Sequence, residues 1–109
     1  MSENRLTSDL LRGHTDTMIL RLLSEKDCYG YEIVKTIGIN SGGEYELKEA
    51  TMYSSLKRLE SEGDIEWYWG DETQGGRRKY YKITNKGLLV YEKNKQNWKY
   101  AKRILDNLL

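Results

Sequence analysis

The sequence predicts a mainly α-helical fold with a β-hairpin wing, the winged helix-turn-helix, followed by a C-terminal dimerisation helix. Apolar residues recur at helical spacing over much of residues 6–62 and again near the C-terminus. Between these segments, two β-prone runs flank a polar loop containing Gly75-Gly76, which is typical of a hairpin. A cationic hairpin suits a phosphate backbone better than a small substrate. The basic residues that follow the loop, and that therefore indicate DNA binding, are Arg77, Arg78 and Lys79.

The composition limits the chain to one domain with one modest core, because it has only 109 residues. No apolar run approaches the ~20 residues that span a bilayer, and nothing near the N-terminus has the composition of a signal peptide. The single cysteine, Cys28, excludes an intrachain disulfide and fits a reducing compartment, so we expect a cytoplasmic protein. Because the net charge is only +1, a nucleic-acid surface must come from local clustering of basic residues.

The first two helices are predicted from their apolar residues. The second should span residues 29–39, and its buried side should consist of Tyr31, Ile33, Val34 and Ile37. The first should be one continuous helix over residues 6–24, ending at a polar turn. Its apolar face is formed by Leu6, Leu10, Leu11, Met18, Ile19, Leu22 and Leu23.

The remaining elements follow from turn chemistry and periodicity. A Gly-containing turn ends the second helix, and residues 44–47 are expected to form a brief strand. A third helix over residues 48–62 should end at Gly63, a typical C-terminal cap. The hairpin should occupy residues 65–83, and the final helix should begin near residue 84 and run to the end of the chain.

The third helix has an apolar side and a small, polar side. At about 100° per residue, Met52, Leu56 and Leu59 share the side that should face the core. On the other side, small hydroxyl residues allow close approach to a major groove, and basic residues reach phosphates or guanine edges. An ordinary solvated helix face has the same composition, and the neighbouring wing decides in favour of DNA. We expect Ser54, Lys57 and Arg58 to enter the groove, with Thr51 and Tyr53 at its edges.

The wing should contribute phosphate contacts from its three basic residues. Successive side chains of a strand point to opposite faces, which places Arg78, Tyr80 and Lys82 on one face and Lys79, Tyr81 and Ile83 on the other. The basic residues therefore cannot all make the same contact.

Three tracts also carry a family resemblance: Cys28-Tyr-Gly-Tyr-Glu-Ile33, residues 50–63 and residues 75–87. Together they resemble the PadR family of bacterial transcriptional regulators. The resemblance implies a cytoplasmic homodimer, usually a repressor, that binds an inverted-repeat operator of double-stranded DNA and releases it when an effector arrives. It also implies a division into a DNA-binding domain, residues 1–84, and a C-terminal dimerisation helix, residues 85–109.

The final helix carries an apolar seam that supports dimerisation independently. Its residues recur at spacings of seven, three, four and three, which is typical of a helix that packs against a partner. The alternative is that the seam folds back on its own domain. The seam consists of Tyr91, Trp98, Ala101, Leu105 and Leu108.

The resemblance further implies an effector site at the dimer centre. In a multidrug-responsive repressor of this family, a tryptophan at the place of Trp98 pairs with its symmetry mate and holds planar aromatic compounds. Lys95 and Lys102 stand where that repressor has an aromatic and an acidic residue, so we expect anionic or neutral aromatics to be preferred. Alternatively, Trp98 only anchors the interface. By the same resemblance, the first helix contributes Leu10, Thr17, Leu20 and Arg21.

No constellation in the sequence predicts an enzyme, a metal site or a cofactor. His14 and Cys28 are the only residues of their types, and no acidic cluster with ligand spacing accompanies them. Two rival functions remain at this point. The winged helix could serve as a protein-interaction module without DNA, or it could bind DNA without regulation by a small molecule.

Overall fold

The computed structural model describes residues 8–11, 13–71 and 77–109. It confirms a mainly helical chain with a small three-stranded antiparallel sheet, in which β3 lies between β1 and β2. The helices and strands, in chain order, are α1 (Ser8–Leu11), α2 (Thr15–Glu25), β1 (Cys28–Tyr29), α3 (Gly30–Asn40), α4 (Glu49–Ser61), β2 (Ile65–Trp69), β3 (Lys79–Ile83) and α5 (Asn85–Leu108).

The prediction of one continuous helix over residues 6–24 is wrong. Gly13 has a φ of +90°, in the left-handed region that favours glycine, and it separates α1 from α2. The chain turns there through a hydrogen bond from the amide of His14 to the carbonyl of Leu11, at 3.0 Å. Leu6 and the predicted start of this helix lie outside the described residues, as does the Gly75-Gly76 turn of the hairpin.

The sheet contains a strand that the sequence did not predict. β1 pairs with β3, with Cys28 opposite Tyr81 and Tyr29 opposite Tyr80. Two residues are too few to show alternation, so only the pairing partner reveals the strand. Burial raises the pKa of the Cys28 thiol, which packs as a small core residue.

Two other local predictions are wrong. The predicted strand at residues 44–47 has no regular structure; instead, the amide of Tyr45 donates to the Ser41 hydroxyl at 3.0 Å and holds a compact turn. Tyr31, predicted on the buried side of α3, is 63% exposed, whereas Ile33 and Ile37 are buried. The prediction failed because Tyr31, two residues before Ile33, lies on the opposite side of α3 at about 100° per residue.

One core joins all the major elements. α2 contributes four of its residues, and α4 contributes the predicted apolar side. Among the described residues, no helix has the length and apolar character needed to cross a membrane. The buried hydrophobic residues are Ile19, Leu20, Leu22, Leu23, Cys28, Ile33, Ile37, Leu47, Met52, Leu56, Leu59, Ile65 and Tyr81.

A compact junction connects the end of α4 to the start of α5. Gly63, at φ +80°, ends α4 as predicted, and the next amide, of Asp64, donates to the carbonyl of Leu59 at 2.9 Å. The Thr84 hydroxyl donates to the carbonyl of Gly63 at 2.7 Å and accepts from the amide of Gly87 at 3.0 Å. The Thr84 hydroxyl thus caps the N-terminus of α5 and also binds the residue that ends α4. These hydrogen bonds fix the orientation of α5 relative to α4.

Gly87→Ala should destabilise the protein by about 1–3 kcal/mol, because it overpacks this junction. A Cβ on Gly87 would lie 2.1 Å from the carbonyl oxygen of Asp64 and 2.8 Å from Cγ1 of Ile83. The free energy of unfolding in urea is the measurement.

Gly38→Ala is the matched control, since Gly38 also lies within a helix but has no atom within 4 Å of an added Cβ. It should raise stability by about 0.5–1 kcal/mol through helix propensity. Equal effects of the two substitutions would contradict the proposed packing of the junction.

Candidate nucleic-acid interface

The outward side of α4 is a continuous exposed surface. It exists because Met52, Leu56 and Leu59 bury the opposite side in the core. A helix with small residues outward can approach another molecule closely, and the basic side chain of Lys57 extends from its middle. The exposed residues of this side are Ala50, Thr51, Ser54, Lys57 and Ser61.

Arg58 departs from this arrangement because it pairs within the chain. Its Nη2 donates to Oδ1 of Asp16 at 2.6 Å, and its Nε donates to Oδ2 at 3.1 Å. Nη2 also lies 3.2 Å from the hydroxyl of Ser55. The hydrogen bond to Asp16, and then its charge, raise the pKa of Arg58, so the guanidinium stays protonated. The guanidinium of Arg58 therefore turns toward α2, on the flank of α4.

The other flank of α4 faces the wing. Tyr53, which is 50% exposed, packs its ring over Gly30, where an added Cβ would lie 2.6 Å from the phenol oxygen. A cleft of about 230 Å³ opens between this ring and β3, and it brings together three of the predicted DNA-contacting residues from α4 and the wing. The cleft is lined by Tyr29, Gly30, Tyr31, Tyr53, Arg78, Lys79 and Tyr81.

The basic residues of the wing each lie over an aromatic ring. The guanidinium of Arg78 is 4.6 Å from the ring centre of Tyr29, and that of Arg77 is 5.9 Å from Trp69. The ammonium of Lys79 is 4.3 Å from the ring centre of Trp67. The rings hold the cations in place and leave their positive charge intact, which suits binding to phosphates.

The wing is braced by a stack of tyrosines on the Arg78 side of the sheet. The rings of Tyr68 and Tyr80 are parallel within 12° at 5.7 Å, and Tyr29 meets Tyr80 edge-on at 5.5 Å. The Tyr68 hydroxyl donates to Oδ2 of Asp27 at 2.5 Å, and this bond raises the pKa of Tyr68 to about 12. The brace fixes the hairpin to the segment before α3.

Sequence reasoning missed two aromatic residues of this interface, Trp67 and Trp69. Alternation along β2 places both on the same sheet face as Ile65, which is buried in the core with α4. They extend that face outward along the wing and are 37% and 52% exposed, with ring centres 5.3 Å apart. The pattern of alternate large residues from Ile65 onward was the signal that could have found them.

A second cavity, of about 310 Å³, lies between α2 and α5. Of the residues predicted for an effector, Thr17, Arg21, Lys95 and Trp98 line it. The prediction missed its other lining residues, His14, Met18, Tyr91 and Asn94.

The other predicted effector residues lie elsewhere. Leu20 is fully buried in the core, Leu10 is exposed on α1, and the ammonium of Lys102 pairs with Asp106 at 3.1 Å. Leu20 points inward because α2 turns its apolar side to the sheet, whereas Thr17 and Arg21, on another side of the helix, face α5.

Contacts between α2 and α5 shape this cavity. The Trp98 ring meets His14 edge-on at 5.2 Å, and the Asn94 amide donates to the Thr17 hydroxyl at 3.0 Å. Of the eight lining residues, Arg21 and Lys95 carry positive charges, and none carries a carboxylate, among the residues that the structure describes. The cavity is therefore aromatic on one wall and electropositive at its rim.

The seam of α5 divides into two parts. Tyr91 packs against the core of its own domain, and Ala101 is half-buried. The other residues of the seam are more exposed: Trp98 by 46%, Leu105 by 45% and Leu108 by 75%. Within the described part of the chain, no group of three or more His, Cys, Asp or Glu residues could hold a metal ion.

Comparisons with known proteins agree with this architecture. The sequence model of the transcriptional regulator PadR-like family matches residues 19–93. An uncharacterized protein of Lysinibacillus sphaericus is 46% identical over 99 residues, 91% of each chain.

Solved structures extend the similarity to nearly the whole chain. A transcriptional regulator of Clostridium thermocellum is 44% identical, with a TM-score of 0.86 over 94% of this chain and 96% of that one. A PadR family regulator of Clostridium difficile is also 44% identical, with a TM-score of 0.77 over 88% and 98% of the two chains. A PadR-like regulator of Bacillus cereus is 33% identical, with a TM-score of 0.78 over 92% and 95%. The chain therefore belongs to the PadR-like family of transcriptional regulators, which bind DNA and are not enzymes.

Proposed function

We propose that this regulator is a homodimeric repressor that binds an inverted-repeat operator and responds to a planar aromatic effector, with anionic or neutral compounds preferred. The observation that carries the proposal is the cleft that joins Tyr53 of α4 to Arg78 and Lys79 of the wing. Because bacterial chromosomal DNA lies in the cytoplasm, the proposed repressor would act there.

The exposed side of α4 supports major-groove reading. Ser54 and Lys57 lie at its centre, with Thr51 and Tyr53 at its edges, and the small residues leave the backbone close to the groove floor. The wing supports contacts to the adjoining phosphates, because Arg77, Arg78 and Lys79 concentrate positive charge in a chain whose net charge is only +1.

The exposed end of α5 supports a twofold dimer. Leu105 and Leu108 continue the heptad spacing of Tyr91 and Trp98, and apolar side chains in this pattern bury one another in a paired helix. Since the junction at Thr84 fixes α5 to α4, the dimer axis would set the separation of the two reading helices. Half-sites one helical turn apart, or a multiple of it, would then be required.

The cavity between α2 and α5 supports the effector proposal. The indole of Trp98 offers a stacking surface, and Arg21 and Lys95 stand at the rim. The Nε of Arg21 is 3.7 Å from a carboxylate oxygen of Glu25, but both side chains are more than half exposed, so solvent screens that pair. A ligand that shifts α5 against α2 would change the spacing of the reading helices.

Replacing both Arg77 and Arg78 with Ala should weaken DNA binding and flatten its salt dependence. The slope of log affinity against log salt concentration should become shallower by about 0.9 for every phosphate that the variant no longer neutralises. The measurement is fluorescence anisotropy over a salt series, with a duplex that the protein itself selects from a random-sequence library.

Replacing Lys99 and Arg103 with Ala is the matched control, because it removes the same charge from the outer side of α5. This variant should keep the wild-type slope. If the salt dependence of DNA affinity becomes equally shallow in both double variants, the change reflects the net charge of the protein, and the wing has no specific role.

Leu105→Asp should convert the dimer to a monomer, because it places a charge in the apolar seam. DNA affinity should then fall by about a hundredfold, because the second half-site is no longer bound in the same complex. Sedimentation velocity and anisotropy are the measurements.

Leu89→Asp is the matched control, because Leu89 lies on the exposed side of α5 away from the seam. It should leave the dimer and its DNA affinity unchanged. A Leu105→Asp protein that sediments like wild type would show that the seam is not the dimer interface.

An anionic planar aromatic should bind about tenfold more tightly than a cationic one of the same shape, because only basic side chains line the cavity among its charged residues. Tryptophan fluorescence reports binding, and Trp98→Phe assigns the signal, since Trp67 and Trp69 also emit. Arg21→Gln with Lys95→Gln should abolish the preference. Tighter binding of the cationic compound to the wild-type protein would refute the expected preference for anions.

A further inference from the structure

We infer that Arg58 and Asp16 form a positioning pair that fixes the reading helix α4 against the first turn of α2, and that Arg58 is not a DNA contact. The inference deepens the proposed function, because it rests on α4 being the helix that reads DNA. It replaces the sequence-based expectation that Arg58 enters the major groove.

Arg58 and Asp16 form a bidentate salt bridge. Two N–H groups of one guanidinium meet the two oxygens of one carboxylate, at 2.6 and 3.1 Å, across 42 positions in sequence. The Asp16 side chain is only 26% exposed, and Ser55, whose hydroxyl lies 3.2 Å from Nη2, is buried. Bidentate charge-assisted bonds of this kind fix orientation as well as adding energy.

The position of Arg58 on the helix agrees with this role. Lys57 lies at the centre of the exposed side of α4. At about 100° per residue, Arg58 lies some 100° around the helix from Lys57, and it is nearer than Lys57 to the buried Ser55. To reach a phosphate, its side chain would have to break both bonds to Asp16 and leave that carboxylate without its partner. Removing the charged partner of a partly buried carboxylate is costly.

The pair also lies between the reading helix and the α2–α5 cavity. Asp16 is in the first turn of α2, next to Thr17, which accepts a hydrogen bond from Asn94 of α5. His14, which meets Trp98 edge-on, immediately precedes the same turn. A displacement of this turn would therefore move the anchor of Arg58.

Substitutions at both positions test the inference in the full-length protein. The variants are Asp16→Asn, Arg58→Ala, Arg58→Lys and the double variant Asp16→Asn with Arg58→Ala. Affinity is measured by anisotropy over a salt series, with the duplex that wild type selects from a random library and with a duplex of unrelated sequence. Thermal unfolding by circular dichroism, compared with the assay temperature, confirms that each variant is folded.

A positioning pair predicts that all four variants bind the selected duplex about tenfold more weakly, whereas binding to the unrelated duplex does not weaken to this extent. The salt slope should not change, and the double variant should be no weaker than the weaker single variant. The weaker binding of Asp16→Asn is the most diagnostic result, because removing a negative charge by itself strengthens attraction to DNA. Arg58→Lys should behave like Arg58→Ala, because an ammonium cannot make the bidentate bond.

A direct DNA contact predicts the opposite pattern and would overturn the inference. Arg58→Ala would then lower the salt slope by about 0.9 per subunit, Arg58→Lys would bind nearly as wild type, and Asp16→Asn would bind more tightly. If Arg58→Ala alone unfolds below the assay temperature, Asp16→Asn and Arg58→Lys still separate the two patterns.

Two controls make the result specific. Glu46→Gln removes a carboxylate that pairs with Lys48 at 3.3 Å, just before α4, and should not weaken binding to the selected duplex. Lys57→Ala, on the exposed side of α4, should weaken binding to the selected duplex. If Lys57→Ala has no effect, α4 is not the reading helix and the proposed function fails; if it weakens binding while the Asp16 and Arg58 variants do not, only the positioning pair fails.

Discussion

The burial of one side of α4 is the constraint on which the rest of this protein depends. Met52, Leu56 and Leu59 are each about 1% exposed, and they hold the helix against α2 and the sheet. A helix that buries one side at 3.6 residues per turn leaves the opposite side exposed, and this exposed side is the one that we propose faces DNA. The outward placement of Ser54 and Lys57 follows from that burial, and the bonds of Arg58 to Asp16 add a polar anchor on one flank of the helix.

The flanks and the end of α4 carry its remaining connections. Tyr53 packs on Gly30 toward the wing, Arg58 binds Asp16 toward α2, and the turn at Gly63 joins the helix to the N-cap of α5. Each connection reaches an element with a different part in the proposed function: the wing, the helix α2 beside the cavity, and α5, which we propose forms the dimer. In the proposed function, these three connections would transmit a displacement of the wing, of α2 or of α5 to the exposed side of α4.

Much of the fold could be predicted from the sequence because its signals are periodic. The apolar side of α4, the hairpin around β2 and β3, and the long α5 all repeat a local pattern over several turns or alternations. The failures fall where the signal is a single residue or a distant partner. Gly13 divides the first helix although the apolar spacing continues on both sides of it, and β1 is a strand only because Tyr80 and Tyr81 lie beside it.

The sequence by itself determined the tracts that resemble the PadR family, the helical and β-prone segments, and the side of α4 that carries small polar residues. Each of these depends on residues only a few positions apart. Only the tertiary structure decided that Arg58 turns to Asp16, that Leu20 is buried while Thr17 faces α5, and that Trp67 and Trp69 extend the core face of the sheet along the wing. Each of these depends on which side of one element meets another across tens of residues. Local spacing assigns a residue to a side of its helix or strand, but the packing of the elements decides what that side meets.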